Sequence, residues 1–291
     1  AIGLAVMTEL PLVIVNVQRG GPSTGLPTKT EQSDLLQAVW GRNGESPVVV
    51  LAASTPAACF DRAVEAIKIA TEHMTPVILL SESYVANGAE PWKVKALDEL
   101  PAIHPPVLTQ PDPAWTPYGR DPATLARKWV VPGTPALQHR IGGLEKDECT
   151  GCVSHDPQNH EAMVALRRQK VERVADFIPE QKFRGKGAKK LLVVGWGGQF
   201  GTLFGAVTEL RSEGKDIAVT HFNHIHPLPR NTASIFEQFE KIVVCELNSG
   251  QFANYLRAVL PQFTYLQYNK VKGRPFKVSE LKDKFNELLA Q

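Results

Sequence analysis

The sequence predicts an α/β protein of two doubly wound parallel-sheet domains, and three observations carry that prediction. Short apolar runs without polar alternation recur along the chain, the pattern of strands buried on both faces. Segments with helical apolar spacing separate them, and strand–helix–strand alternation builds parallel sheets. The alternation is interrupted by a proline-dense stretch and a basic, glycine-containing one, then resumes.

Taken in order, Ala1 to Met7 is an apolar, helical-looking run with no polar lead-in, which reads as a cut end. Leu12 to Val17 is the first buried strand, followed by a loop from Gln18 to Thr30 rich in Gly, Pro, Ser and Thr. Glu31 to Trp40 reads as a helix and Pro47 to Ala52 as the second strand. Thr55-Pro56 is an N-cap with proline at the first helical position. The helix it opens runs to about His73, with Phe60, Val64 and Ile67 at helical spacing, and Pro76 to Leu80 is the third strand. From Glu90 to about Asn159 the chain is dense in proline, and so long an irregular segment is expected to wrap over a neighbouring surface. His160 to Ile178 returns to helix, with Arg167, Arg168, Lys170 and Arg173 expected on a solvated face. Lys182 to Lys190 is a linker without periodicity, which divides the chain into domains of residues 1–181 and 182–291. Strands at Leu191–Val194, Ile217–Phe222, Ile242–Cys245 and Phe263–Gln267 then interleave with helices at Gln199–Glu213, Ile235–Phe239, Gln251–Leu260 and Ser279–Leu289.

Composition narrows the function. The 32 Lys and Arg nearly balance 30 Asp and Glu, a net charge of +2, which does not suit a protein that coats nucleic acid or an anionic membrane. The apolar run at Leu10 to Val17 is far short of the roughly 20 residues that span a bilayer. Four scattered cysteines do not staple a chain of 291 residues and point to a reducing compartment, the cytoplasm.

Three segments carry chemical potential. Arg19, Gly20, Gly21, Ser23 and Thr24 follow a buried strand, at the carboxyl edge where open α/β sheets bind ligands. The glycines permit close backbone approach, the hydroxyls donate, and the Arg19 guanidinium is a planar fork for a carboxylate or phosphate. The alternative is an exposed arginine beside a flexible turn. Gly195 to Gly201 invites a dinucleotide reading, but Phe200 stands where the G-x-G-x-x-G pattern needs glycine, and the next strand ends in Thr220-His221-Phe222 without a ribose-binding acid. Tight packing at an interface accounts for those glycines instead. Cys149 and Cys152, with His155 and His160 downstream, match no common metal spacing, and Cys59 and Cys245 read as small buried thiols, so no metal site is assigned. His139, His224 and His226 receive no role.

The stretch from Gln18 to Leu35 closely resembles the α subunit of 2-oxoacid:ferredoxin oxidoreductases, the 2-oxoglutarate type in particular. Supporting matches lie at Pro132–Pro135, His139–Glu145, Asp156–His160 and Glu246–Gln251, so the resemblance covers nearly the whole chain. It implies a partial thiamine pyrimidine-binding domain followed by a transketolase C-terminal-like domain. It implies an enzyme that uses thiamine diphosphate to decarboxylate a 2-oxoacid oxidatively, passing electrons through an iron–sulfur cluster to ferredoxin and the acyl group to coenzyme A. In this family Mg²⁺ and the 4Fe–4S cluster belong to the β subunit. Arg19 matches the arginine that binds the substrate carboxylate, with Gly20, Gly21, Ser23 and Thr24 in the loop beside it. The family's activating glutamate falls upstream of a position equivalent to Ala1, so no catalytic residue is assigned and the isolated chain is expected to be inactive. The competing readings are a non-catalytic two-domain binding or assembly module and an NAD-linked oxidoreductase.

Overall fold

The computed structural model describes residues 1–291. Its first half runs α1 (Ile2–Thr8), β1 (Leu12–Gln18), α2 (Leu35–Trp40), β2 (Val49–Ala52), α3 (Pro56–His73), β3 (Pro76–Glu82), α4 (Ser83–Ala86), β4 (Val107–Leu108), β5 (Trp129–Val130) and α5 (Pro157–Arg173). The second runs β6 (Phe183–Arg184), β7 (Leu191–Trp196), α6 (Phe200–Ser212), β8 (Ile217–Phe222), β9 (His224–His226), α7 (Thr232–Phe236), β10 (Lys241–Glu246), α8 (Gln251–Val259), β11 (Tyr265–Asn269) and α9 (Val278–Ala290). No helix is long and apolar enough to cross a membrane.

Two sheets organise these elements. In the first, β1, β3 and β2 are parallel neighbours. In the second, β11, β10, β7 and β8 are parallel, and β6, inside the segment expected to be a featureless linker, adds an antiparallel edge on β8. The first sheet is completed from the other half of the chain: β9 pairs antiparallel with β2, Leu51 opposite His224 and Val50 opposite His226. The two histidines given no role are therefore strand residues; His224 Nε2 meets Glu65 Oε1 at 2.8 Å and His226 Nδ1 meets the Tyr255 hydroxyl at 2.9 Å.

Strand residues alternate between two apolar layers, as the pleat requires. Val50, Ala52, Ile78 and Leu80 join Leu192, Val194 and residues of α2 and α8 in one cluster shared by both sheets. Val49, Leu51, Val77 and Leu79 face the other way, onto Ala66, Ile69 and Ala70 of α3. Leu191 and Val193 likewise pack on Leu203, Val207 and Leu210 of α6 and on α9. The resulting layers are α3, sheet, shared core with α2 and α8, sheet, then α6 with α9.

Thr55 caps α3 by accepting from the Ala58 amide, with Pro56 at the first helical position. Phe60 and Ile67 do not face the sheet. They are partly exposed on the outer side of α3, where Phe60 meets Trp92 at 5.0 Å between ring centroids. The proline-rich excursion runs along that side: Glu90 accepts from Thr55 and Ala57 at one end of α3, and Glu72 accepts from the His104 amide at the other.

Two of the four basic residues of α5 are buried rather than solvated. Arg167 forms a bidentate pair with Glu145, and Lys170, 2 % exposed, donates to Glu9 Oε2 at 2.5 Å and the Met74 carbonyl at 2.7 Å. Arg120 completes the cluster with two bonds to Glu9. Burial opposes ionisation of Glu9, yet Lys170 and Arg120 prevail and hold its pKa down to about 2. Arg168 and Arg173 keep substantial exposure.

Candidate functional site

The carboxyl edge of the first sheet ends in two polar residues, Gln18 of β1 and Glu82 of β3, which stand opposite each other in the ladder. The chain leaves Gln18 into a tight loop in which Gly20 and Leu26 bridge, with Leu26 N donating to Gly20 O at 2.8 Å and Gly20 N to Lys29 O at 3.0 Å. Ser23, Gly25 and Thr28 all take positive φ. At Gly25 a Cβ would lie 2.2 Å from the Gly20 carbonyl oxygen, so the turn requires glycine there. Residues 21–29 are exposed, and the side chains of Arg19, Ser23 and Thr24 make no hydrogen bond within the chain. The five residues singled out from the sequence thus share one loop. Gly20 is its buried hinge, and Arg19, Gly21, Ser23 and Thr24 face outward.

A cleft of about 350 Å³ opens beside the loop's second foot, lined by Thr28, Thr30, Ser83, Tyr84, Asn87 and Gly273. Both halves of the chain contribute to it. A cavity of about 700 Å³ lies elsewhere, lined by His73, Trp115, Arg120 and Phe177 at the C-terminal end of α3. The seven residues of β3 put that end about 20 Å from the Arg19 edge.

Both feet of the loop are fixed. Gln18 Nε2 donates to Ser81 O at 3.1 Å, its Oε1 accepts from Asp34 N at 3.0 Å, and Ser33 Oγ donates to the Arg19 carbonyl at 2.9 Å. At the second foot, Thr30 Oγ1 donates to Glu82 Oε2 at 2.5 Å. Gln32, wholly buried, donates from Nε2 to Trp196 O at 2.7 Å and exchanges backbone and side-chain bonds with Leu247 and Asn248. These bonds explain why the helix expected from Glu31 starts only at Leu35: Glu31 and Gln32 are bonded to the second half and a turn at Ser33–Asp34 precedes the helix.

Across that seam lies the glycine turn after β7. Gly198 N donates to Glu82 Oε1 at 2.5 Å, and His221 Nε2 meets the Gly197 carbonyl at 2.9 Å. A Cβ on Gly198 would stand 2.4 Å from Glu82 Oε1, and one on Gly197 2.5 Å from Gln32 Nε2. The glycines admit two buried polar side chains of the first half, and a turn amide that a dinucleotide phosphate would need is already bonded to an internal carboxyl. Burial raises the pKa of Glu82 against the opposing effect of the Thr30 and Gly198 bonds. Burial also raises that of Glu246, whose carboxyl accepts from Trp196 Nε1, Asn248 Nδ2 and the amides of Phe252 and Ala253 at the start of α8. Neither Glu82 nor Gln32 stands out in the sequence; the paired glycines are the signal that something approaches closely.

Cys149 and Cys152 are free thiols on an exposed hairpin organised by Asp147, which accepts from Cys149 N, Thr150 N and Thr150 Oγ1. The same Asp-x-x-Thr geometry recurs at Asp121 to Thr124, with alanines at the cysteine positions. His160 is bonded to Glu145, and His139 to the Leu137 carbonyl. No three His, Cys, Asp or Glu side chains converge in a geometry that could hold a metal ion.

Residues 1–155 match the family described as pyruvate flavodoxin/ferredoxin oxidoreductase, thiamine diP-binding. The chain is 46 % identical over 286 residues to a 2-oxoglutarate oxidoreductase subunit KorA of Mycobacterium tuberculosis, covering 97 % of this chain and 43 % of that protein. It is 32 % identical over 255 residues to the 2-oxoglutarate synthase subunit KorA of Methanothermobacter marburgensis, covering 86 % of this chain and 66 % of that one. Among solved structures, 2-oxoglutarate:ferredoxin oxidoreductase from Magnetococcus marinus, with 2-oxoglutarate, coenzyme A and succinyl-CoA bound, superposes with a TM-score of 0.88 at 30 % identity, over 99 % of this chain and 50 % of that chain. The chain therefore spans about half the length of these larger relatives. With the family match, the two-sheet architecture and the open carboxyl-edge loop agreeing, this chain belongs to the pyruvate flavodoxin/ferredoxin oxidoreductase family.

Proposed function

We propose that this chain is the substrate-loop portion of the α subunit of a 2-oxoacid:ferredoxin oxidoreductase that converts 2-oxoglutarate, coenzyme A and two oxidised ferredoxins into succinyl-CoA, CO₂, a proton and two reduced ferredoxins. On this reading residues 1–181 are the pyrimidine-binding part and residues 182–291 the transketolase C-terminal-like part. The observation that carries it is the loop after β1: an exposed guanidinium and two exposed hydroxyls, none bonded within the chain, at a carboxyl edge beside a cleft.

Arg19 donates to the substrate carboxylate in a bidentate pair, while Gly21, Ser23 and Thr24 border the anion. Thiamine diphosphate, when bound, supplies the electron sink that bond breaking requires. No three His, Cys, Asp or Glu side chains converge here to hold a divalent cation, and the loop is open to water on one side. A β subunit that carries Mg²⁺ and the 4Fe–4S cluster and closes over this edge meets both requirements, because a desolvated carboxylate loses CO₂ more readily. The free thiols fit a reducing cytoplasm.

The test is viologen or ferredoxin reduction by a full-length α subunit that includes this sequence, assembled with its β subunit. Reduction that depends on both 2-oxoglutarate and coenzyme A is expected. Faster turnover with pyruvate overturns the substrate, and reduction supported by NADH alone overturns the reaction class.

A further inference from the structure

The loop that presents Arg19 is held internally by three backbone bonds among Gly20, Leu26 and Lys29. Residues 21–29 are exposed, and apart from backbone bonds linking Gly20, Leu26 and Lys29 nothing fastens it to the sheet. Its conformation is set at its feet, which are not alike. The first foot is fixed within the first half, by Gln18 to Ser81 and Asp34 and by Ser83 Oγ to the Gln18 carbonyl. The second crosses to the other half, where Gln32 bonds to Trp196, Leu247 and Asn248, and Gly273 N donates to Glu31 Oε1 at 3.2 Å. Beside Gln32, a second side chain touches the second foot and the glycine turn together: Glu82, 1 % exposed, with one oxygen on Thr30 Oγ1 and the other on Gly198 N.

We propose that Glu82 is a positioning residue for the substrate loop, tying Thr30 to Gly198 so that docking of the two halves sets the conformation from which Arg19 meets the 2-oxoacid carboxylate. This rests on the reading of Arg19 given above. Glu82 has no cationic partner, and its two contacts are a hydroxyl and an amide. Glutamine can reproduce both, its oxygen accepting from Gly198 N and its amide nitrogen donating to Thr30 Oγ1. Alanine loses both and leaves Gly198 N without its partner.

The experiment compares Glu82→Ala, Glu82→Gln and Arg19→Ala in the assembled enzyme, with steady-state kinetics and hydrogen exchange of residues 20–29. Glu82→Ala is expected to raise KM for 2-oxoglutarate about tenfold, with kcat and KM for coenzyme A changed less than about twofold. It should also speed exchange in the loop while amides of β7 and β10 keep their protection, and Glu82→Gln should restore both. Where Glu82→Ala does not fold, Thr30→Val removes the bond on the loop side alone and should raise KM in the same sense. The proposal is overturned by wild-type loop exchange in Glu82→Ala, by a fall in kcat with KM unchanged, or by Glu82→Gln behaving like alanine. Faster loop exchange with no KM change, together with an unaffected KM in Arg19→Ala, supports the tether and refutes the Arg19 reading instead.

Discussion

The loop after β1 and the turn after β7 begin alike: a buried parallel strand ends and glycines follow. Their donors end differently. In the first, the guanidinium of Arg19 and the hydroxyls of Ser23 and Thr24 are unspent and face outward. In the second, Gly198 N is bonded to Glu82, and the residues from Trp196 to Gln199 are buried. A strand-end glycine loop becomes a ligand site only if its hydrogen-bonding capacity is left over after folding; otherwise the glycines serve close approach. On the proposed function the first loop serves a guest; the second serves its own chain.

The largest effect that tests this contrast is on Arg19→Ala in the assembled enzyme. The kcat/KM for 2-oxoglutarate should fall about 100-fold, as expected for a lost charge-assisted pair, with Arg19→Lys recovering part of it. Melting temperature should stay unchanged, because the side chain makes no bond within the chain; a large loss of stability would show that the loop is structural. Next is Gly198→Ala, whose Cβ would meet Glu82 Oε1 at 2.4 Å and Val85 Cγ2 at 2.8 Å. It should cost about 1–3 kcal/mol in thermal or denaturant unfolding, whereas Gly21→Ala, with nothing within 4 Å, should leave stability near wild type. Equal costs at the two positions would erase the contrast.

The smallest effect concerns pH. Burial holds His221, on the Gly197 carbonyl, down to about 4, as it does His73 and His226. A histidine kept neutral in the fold lets the unfolded chain take up more protons below its ordinary value of 6.5, so stability falls as pH drops from 6.5 toward 4. Glu82 and Glu246, pushed up by burial, act in the opposite sense in any variant that keeps them. Comparing His221→Gln with wild type isolates the histidine: the histidine-driven loss between pH 6.5 and 4.5 should shrink by about a third. Identical slopes would show that the turn around Gly197 is not closed to water.

Much of this was legible in the sequence because it rests on local chemistry. The parallel strands of both sheets show as apolar runs, the cap of α3 as Thr55-Pro56, and the exposed loop as Arg19 among glycines and hydroxyls after a strand. What was hidden depends on partners far along the chain. Arg167 and Lys170 look like a solvated face because Glu145 and Glu9 lie 22 and 161 residues away. Glu82 and Gln32 follow no period, and each finds a partner in the other half. His224-Ile225-His226 offers a single apolar residue among three, too little alternation to announce a strand.

That short strand also constrains how the protein is made. Without β9, β2 is the outermost strand of the first sheet, four residues long and buried throughout, with its amides and carbonyls open to another chain. Residues 224–226 must be synthesised before that edge can close, long after β2 has left the ribosome. The interval is a window for aggregation, and a gene split at residue 182 would make it permanent until the second fragment arrived.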